Sequence, residues 1–212
     1  MPAPAIKICG LTTPETLDAA IAARAEYFGL MFVATSPRFA APEVAARLSR
    51  QAEGRIKRVG VFLDVGDEAI AAAVASGLDV LQLHGAESPE RAAELGKGYG
   101  LPVWKVLSVA TRADLDRAAA YAGAADLVLF DARTPKGALP GGLGLTFDWA
   151  LLAGWKPALP WGLAGGLSSD NVAAAAALTG APLVDCSSGV ETAPGVKDVD
   201  LIAAFCQAAR AS

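Results

Sequence analysis

Apolar residues gather in eight short runs along the chain, each followed by a stretch whose apolar positions recur at helical spacing. The runs begin near Ile6, Tyr27, Arg58, Val80, Pro102, Leu127, Pro160 and Leu183, at successive spacings of 21, 31, 22, 22, 25, 33 and 23 residues. Each interval is about the size of one strand and one helix, and such alternation predicts a parallel sheet. Eight units ending in a helix are the number that closes a (β/α)8 TIM barrel, expected here as a single domain over residues 1–212. A doubly wound open sheet is the structural alternative.

Helix starts are legible as caps. Thr13-Pro14-Glu15 and Ser88-Pro89-Glu90 each combine a capping hydroxyl, a proline and an acid, and Ser169-Asp170 is expected to open the seventh helix. In the last helix Leu201, Ile202, Phe205 and Cys206 share a stripe, which makes Cys206 a core residue, and Cys186 in the eighth strand is read the same way. The first run, Ile6-Lys7-Ile8-Cys9-Gly10, alternates sides: Lys7 and Cys9 face one way, the isoleucines the other. Gly10 then offers freedom in φ or close backbone approach.

A hydrophobic fraction of 53% and a mean hydropathy of +0.39 are high for a soluble protein, and strands buried on both faces account for them. The longest apolar runs, such as Val172 to Leu178, are far shorter than the roughly 18 residues a bilayer span needs. The start, Met1-Pro2-Ala3-Pro4, carries no basic or apolar leader pattern, so the expected compartment is the cytoplasm. A net charge of −4 with interspersed signs argues against a nucleic-acid partner. Three cysteines without a C-x-x-C pair and one histidine argue against a disulfide framework or a metal site.

Polar residues collect where the strands end. Cys9 closes strand one, Gln82 and His84 strand four, and Asp131 strand six; strands seven and eight run into Gly165-Gly166 and Ser187-Ser188-Gly189. Long loops, Val33 to Phe39 and the glycine-rich Arg133 to Leu145, follow strands two and six, on the face where such barrels build their sites. The glycines allow close backbone approach, and Ser187-Ser188-Gly189 is expected to open a short helix whose N–H groups point at an anion. Together they predict a phosphate site after strands seven and eight that needs no nearby lysine.

The motifs Lys7-Ile8-Cys9-Gly10, Ser36-Pro37-Arg38, Val59-Gly60-Val61-Phe62, Gln82-Leu83-His84-Gly85, Phe130-Asp131, Phe147-Asp148-Trp149, Leu163-Ala164-Gly165-Gly166-Leu167 and Ser187-Ser188-Gly189-Val190-Glu191 resemble those of the phosphoribosylanthranilate isomerases. In order and spacing the resemblance runs from strand one to strand eight. It implies an Amadori rearrangement of N-(5-phosphoribosyl)anthranilate to 1-(o-carboxyphenylamino)-1-deoxyribulose 5-phosphate in tryptophan biosynthesis, without cofactor or metal. It assigns Cys9 as general base, Asp131 as general acid and Arg38 as the clamp on the anthranilate carboxylate. His84, Gly165, Gly166, Ser187, Ser188 and Gly189 join Arg38 in binding the phosphorylated sugar-anthranilate. Monomer and homodimer are both open.

The residues fit these roles. An Asp ending an apolar strand is open to a raised pKa, as a proton donor requires. A cysteine is a base only as thiolate and needs cations nearby, for which Lys7 is a candidate. A Lys7–Asp185 pair is the preferred use of that lysine, because strands one and eight are neighbours in a closed barrel. Leu143 departs from the small hydroxyl residue common at its place in the family, which puts the glycine loop's direct role in doubt. A phosphosugar epimerase wants more histidines, and a non-catalytic binding barrel has no reason to keep both Cys9 and Asp131.

Overall fold

The computed structural model describes residues 3–132 and 144–211. Eight parallel strands close into a barrel in chain order: β1 (Ala5–Cys9), β2 (Tyr27–Met31), β3 (Lys57–Phe62), β4 (Val80–Leu83), β5 (Val103–Val109), β6 (Leu127–Ala132), β7 (Trp161–Leu163) and β8 (Leu183–Cys186). Each starts at, or one residue from, the position its apolar run indicates. The crossovers carry α1 (Pro14–Ala22), α2 (Pro42–Ala52), α3 (Asp67–Val74), α4 (Pro89–Tyr99), the short α5 (Arg112–Asp116), α6 (Val172–Thr179) and α7 (Val199–Arg210).

Three details depart from the expected plan. Between β6 and β7 the described residues hold only a 3₁₀ turn, Trp149–Leu152, in place of a sixth helix. Between β8 and α7 the chain makes a small hairpin, β9 (Glu191–Ala193) and β10 (Val196–Lys197). Ser169-Asp170 does not cap α6, which starts at Val172 after Asn171. The flanking Ser168 and Asn171 side chains close a turn there instead: Asp170 N donates to Ser168 Oγ (3.3 Å) and Ser168 N to Asn171 Oδ1 (2.9 Å). Short polar side chains compete for nearby backbone, and here the turn wins. The other two caps form as read, Thr13 Oγ1 accepting from Thr16 N and Ser88 Oγ from Arg91 N.

Strand alternation divides the core. Ile6 and Ile8 are fully buried in the cluster that includes Leu17, Ala20 and Phe205, between barrel and helices. The opposite parity fills the barrel: Val59, Val80, Trp104, Val106, Leu129 and Leu183 form a second cluster. The same alternation points Lys7, Cys9, Gln82 and Asp131 inward, toward the carboxyl ends of their strands.

Candidate active site

Closure of β1 on β8 puts Lys7 opposite Asp185 in register, and Lys7 Nζ lies 2.7 Å from Asp185 Oδ2 with the lysine fully buried. Burial works against the Lys7 ammonium, but Asp185 and Cys9 outweigh it and leave its pKa raised. Two residues further along β1, Cys9 is buried at the floor of a cavity of about 320 Å³. Burial pushes the Cys9 thiol above its ordinary value; Lys7 and Lys197 pull it down but do not win. The cationic surroundings expected for a reactive cysteine are present, yet the resting sulfur is a thiol at neutral pH.

The remaining strands bring their polar ends to the same cavity. Arg38, His84, Asp131, Gly165, Gly166, Ser187 and Ser188 all line it, while Gly189 lines an adjoining hollow with Gly166 and Ser188. His84 Nε2 stands 3.4 Å from Asp131 Oδ2, and Asp131 Oδ1 accepts from the N–H of Ala132 at 2.7 Å. Gly165 makes that carboxylate's position possible. It has φ +85°, and a Cβ there would come 2.8 Å from Asp131 Oδ1 and 2.6 Å from Ala132 N. Asn171 Nδ2 donates to Gly166 O (2.9 Å), so the turn before α6 braces the strand-seven loop.

Arg38 rises from the loop after β2 and is only 7% exposed, its Cδ crossing Gly10 (φ +80°) where a Cβ would approach within 2.8 Å. One edge of its guanidinium is already used: Nε and Nη2 donate to Glu191 Oε1 and Oε2, both at 2.7 Å. Gln82, 1% exposed, also lines the cavity, and its Oε1, like Asp185 Oδ1, has no hydrogen-bond partner among the described residues.

Sequence reasoning passed over two lysines. Lys197 reaches back along the β9–β10 hairpin to donate to Ser187 O (2.8 Å), Ser187 Oγ (3.2 Å) and Glu191 Oε1 (2.7 Å). A cation thus stands behind the strand-eight serines after all, and the Pro194-Gly195 turn signal that folds the chain back was there to be read. Lys105 interrupts the apolar run of β5, a signal in itself. Its Nζ donates to Leu83 O (3.2 Å), Gly85 O (2.5 Å) and Glu87 Oε2 (3.0 Å), clamping the loop that carries His84. The glycine loop at residues 133–143, Leu143 included, lies outside the described residues. Among the described residues no helix is long and apolar enough to cross a membrane.

A cavity at the carboxyl ends of barrel strands, walled by a thiol, a carboxyl, an imidazole and a guanidinium and edged by glycines and serines, suits proton transfers on a small anionic sugar. The family model described as N-(5'phosphoribosyl)anthranilate (PRA) isomerase matches residues 6–208. The N-(5'-phosphoribosyl)anthranilate isomerase of Paramagnetospirillum magneticum is 52% identical over 207 residues, 97% of this chain and 96% of that one. That of Rhodopseudomonas palustris is 53% identical over 98% of this chain and 96% of its own. The crystal structure of the Thermotoga maritima phosphoribosyl anthranilate isomerase superposes with a TM-score of 0.88 at 33% identity, over 99% of this chain and 100% of that one. A phosphoribosyl anthranilate isomerase in complex with reduced 1-(o-carboxyphenylamino)-1-deoxyribulose 5-phosphate gives 0.86 at 31%, over the same shares. With the family model, full-length similarity to curated relatives and the fold in agreement, the chain belongs to the N-(5'-phosphoribosyl)anthranilate isomerase family.

Proposed function

We propose that the family's Amadori rearrangement of N-(5'-phosphoribosyl)anthranilate runs in this cavity, with Asp131 as general acid and Cys9 as general base. Protonated Asp131 gives its proton to the furanose ring oxygen as the bond from that oxygen to C1′ breaks. The anilino nitrogen supplies the electron pair for the resulting Schiff base. Cys9, as thiolate, then takes the C2′ proton; the C–H pair becomes the C1′–C2′ double bond and the imine pair returns to nitrogen. Tautomerisation of the enolamine gives the ketone, and no oxidant or reductant is needed. The observation that carries this reading is that Cys9 from β1 and Asp131 from β6 open on one cavity, so a bound sugar can be met by acid and base from different walls.

Arg38, braced by Glu191, meets the anthranilate carboxylate, and His84 lines the wall beside Asp131. Backbone N–H groups of Gly165, Gly166, Ser188 and Gly189 take the phosphate, as loops after the seventh and eighth strands of such barrels do. One barrel domain in the cytoplasm serves this chemistry, as monomer or homodimer. The test is fluorescence of phosphoribosylanthranilate generated in place: purified protein consumes it, and Cys9→Ala and Asp131→Asn each lower kcat by about 10²–10⁴-fold. An Asp131→Asn protein with near parental turnover removes the general acid from the mechanism.

A further inference from the structure

Arg38, Glu191 and Lys197 form a line of charge across the mouth of the barrel, and the roles above leave its last member, Lys197, without one. Glu191 gives Oε1 to both Arg38 Nε and Lys197 Nζ and Oε2 to Arg38 Nη2, all at 2.7 Å. Lys197 thus shares its one carboxylate partner with Arg38. The Lys197 side chain is 1% exposed, a costly place for an ammonium that hairpin packing alone does not require. Its other two hydrogen bonds go to Ser187, whose hydroxyl donates to the carbonyl of Cys9 at 3.2 Å. The ammonium is thus tied through a single residue to the strand end that carries the sulfur.

We propose that Lys197 is a positioning residue for the proton abstraction: fixed by Glu191 and Ser187, its charge stabilises the anionic form of Cys9 and makes the buried thiol usable as a base. The proposal rests on Cys9 being that base. Lys7 from β1 acts on the sulfur more strongly than any other cation and also hydrogen-bonds it, while Asp185 from β8, 2.7 Å from the Lys7 ammonium, opposes part of that charge. Arg38 lies across Gly10 from the loop after β2, and its charge is met by Glu191. His84 from β4 and Asp131 from β6 share the cavity. Lys197 from β10 is a second cation acting on the sulfur, and it shares its carboxylate, Glu191, with Arg38. Burial pulls the Lys197 ammonium down, and Glu191 works against that pull; Cys9 and Lys197 each stabilise the charged form of the other.

The experiment compares Lys197→Met and Lys197→Arg in the full chain. Cys9 thiolate is read directly, as the pH dependence of its alkylation by iodoacetamide, resolved by peptide mass spectrometry. Lys197→Met is expected to cut the Cys9 alkylation rate at neutral pH about tenfold and to move its midpoint to higher pH. The thiol limb of kcat/KM should move with it, so that activity lost at pH 7 returns at alkaline pH, and Lys197→Arg should restore both profiles. If Lys197→Met does not fold, Lys197→Gln keeps hydrogen-bonding groups without the charge and reads the same shift. An unmoved Cys9 alkylation profile, with kcat/KM reduced equally at every pH, overturns the role of Lys197. A Cys9→Ala protein that still turns over overturns the assignment of the base instead, and the alkylation profile separates the two failures.

Discussion

Replacing Lys7 by methionine keeps the length of the side chain and removes its charge, leaving the Asp185 carboxylate inside the barrel without its cation. Asp185 is 8% exposed, and its Oδ1 has no hydrogen-bond partner among the described residues even with Lys7 in place. Breaking a buried ion pair from one side costs about 3–5 kcal/mol. An unfolding entropy of about 2.1 cal/mol/K per residue amounts, over 212 residues, to about 0.45 kcal/mol/K, so the Tm of Lys7→Met should fall by about 7–11 °C. Adding Asp185→Asn removes the stranded charge and should recover at least half of the loss at pH 8. Calorimetry of the parent, both single variants and the double variant completes the cycle. A Lys7→Met protein melting within 2 °C (about 1 kcal/mol) of the parent at pH 8, or a double variant below Lys7→Met, would show that the pair is not the charge couple described above.

Three further outcomes follow from the site. Ser188→Asp places an anion where the phosphate is assigned and should raise KM sharply, with inorganic phosphate competing against substrate in the parent; an unchanged KM moves the phosphate elsewhere. Arg38→Ala should raise KM by about 30-fold or more, for about 2 kcal/mol or more at a largely desolvated charge pair, and parental kcat/KM would exclude it as the carboxylate clamp. Burial pushes the Glu191 carboxyl up, but hydrogen bonds from Arg38 and Lys197 hold it below its ordinary 4.5. A depressed carboxyl contributes stability above its unfolded pKa and loses it as pH falls through the folded one. Thermal melts below pH 4.5 should accordingly fall more steeply for the parent than for Glu191→Gln, and parallel slopes would contradict this.

Much of this protein is local and so lies open in its sequence. Eight apolar runs at strand–helix spacing predict a parallel α/β fold, because each run's period and length depend only on its own residues, and the structure decides for the closed barrel over the open sheet. The parity of β1 puts Lys7 and Cys9 on one side, and the same rule carries Gln82 and Asp131 to the mouth. Even the Lys7–Asp185 pair, 178 residues apart, is reachable by argument, since closing eight strands makes the first and last neighbours. The partners of Arg38, Lys197 and Lys105 are a different matter. Arg38 meets Glu191 across 153 residues of chain, Lys197 folds back through a hairpin onto Ser187, and Lys105 caps carbonyls of the adjacent strand's loop. Periodicity says which way a side chain points, not which group awaits it. The balance of burial and charge at Cys9, and the pairing of Arg38 with Glu191, were decided only by tertiary structure, because burial and charge at a point depend on everything that closes around it.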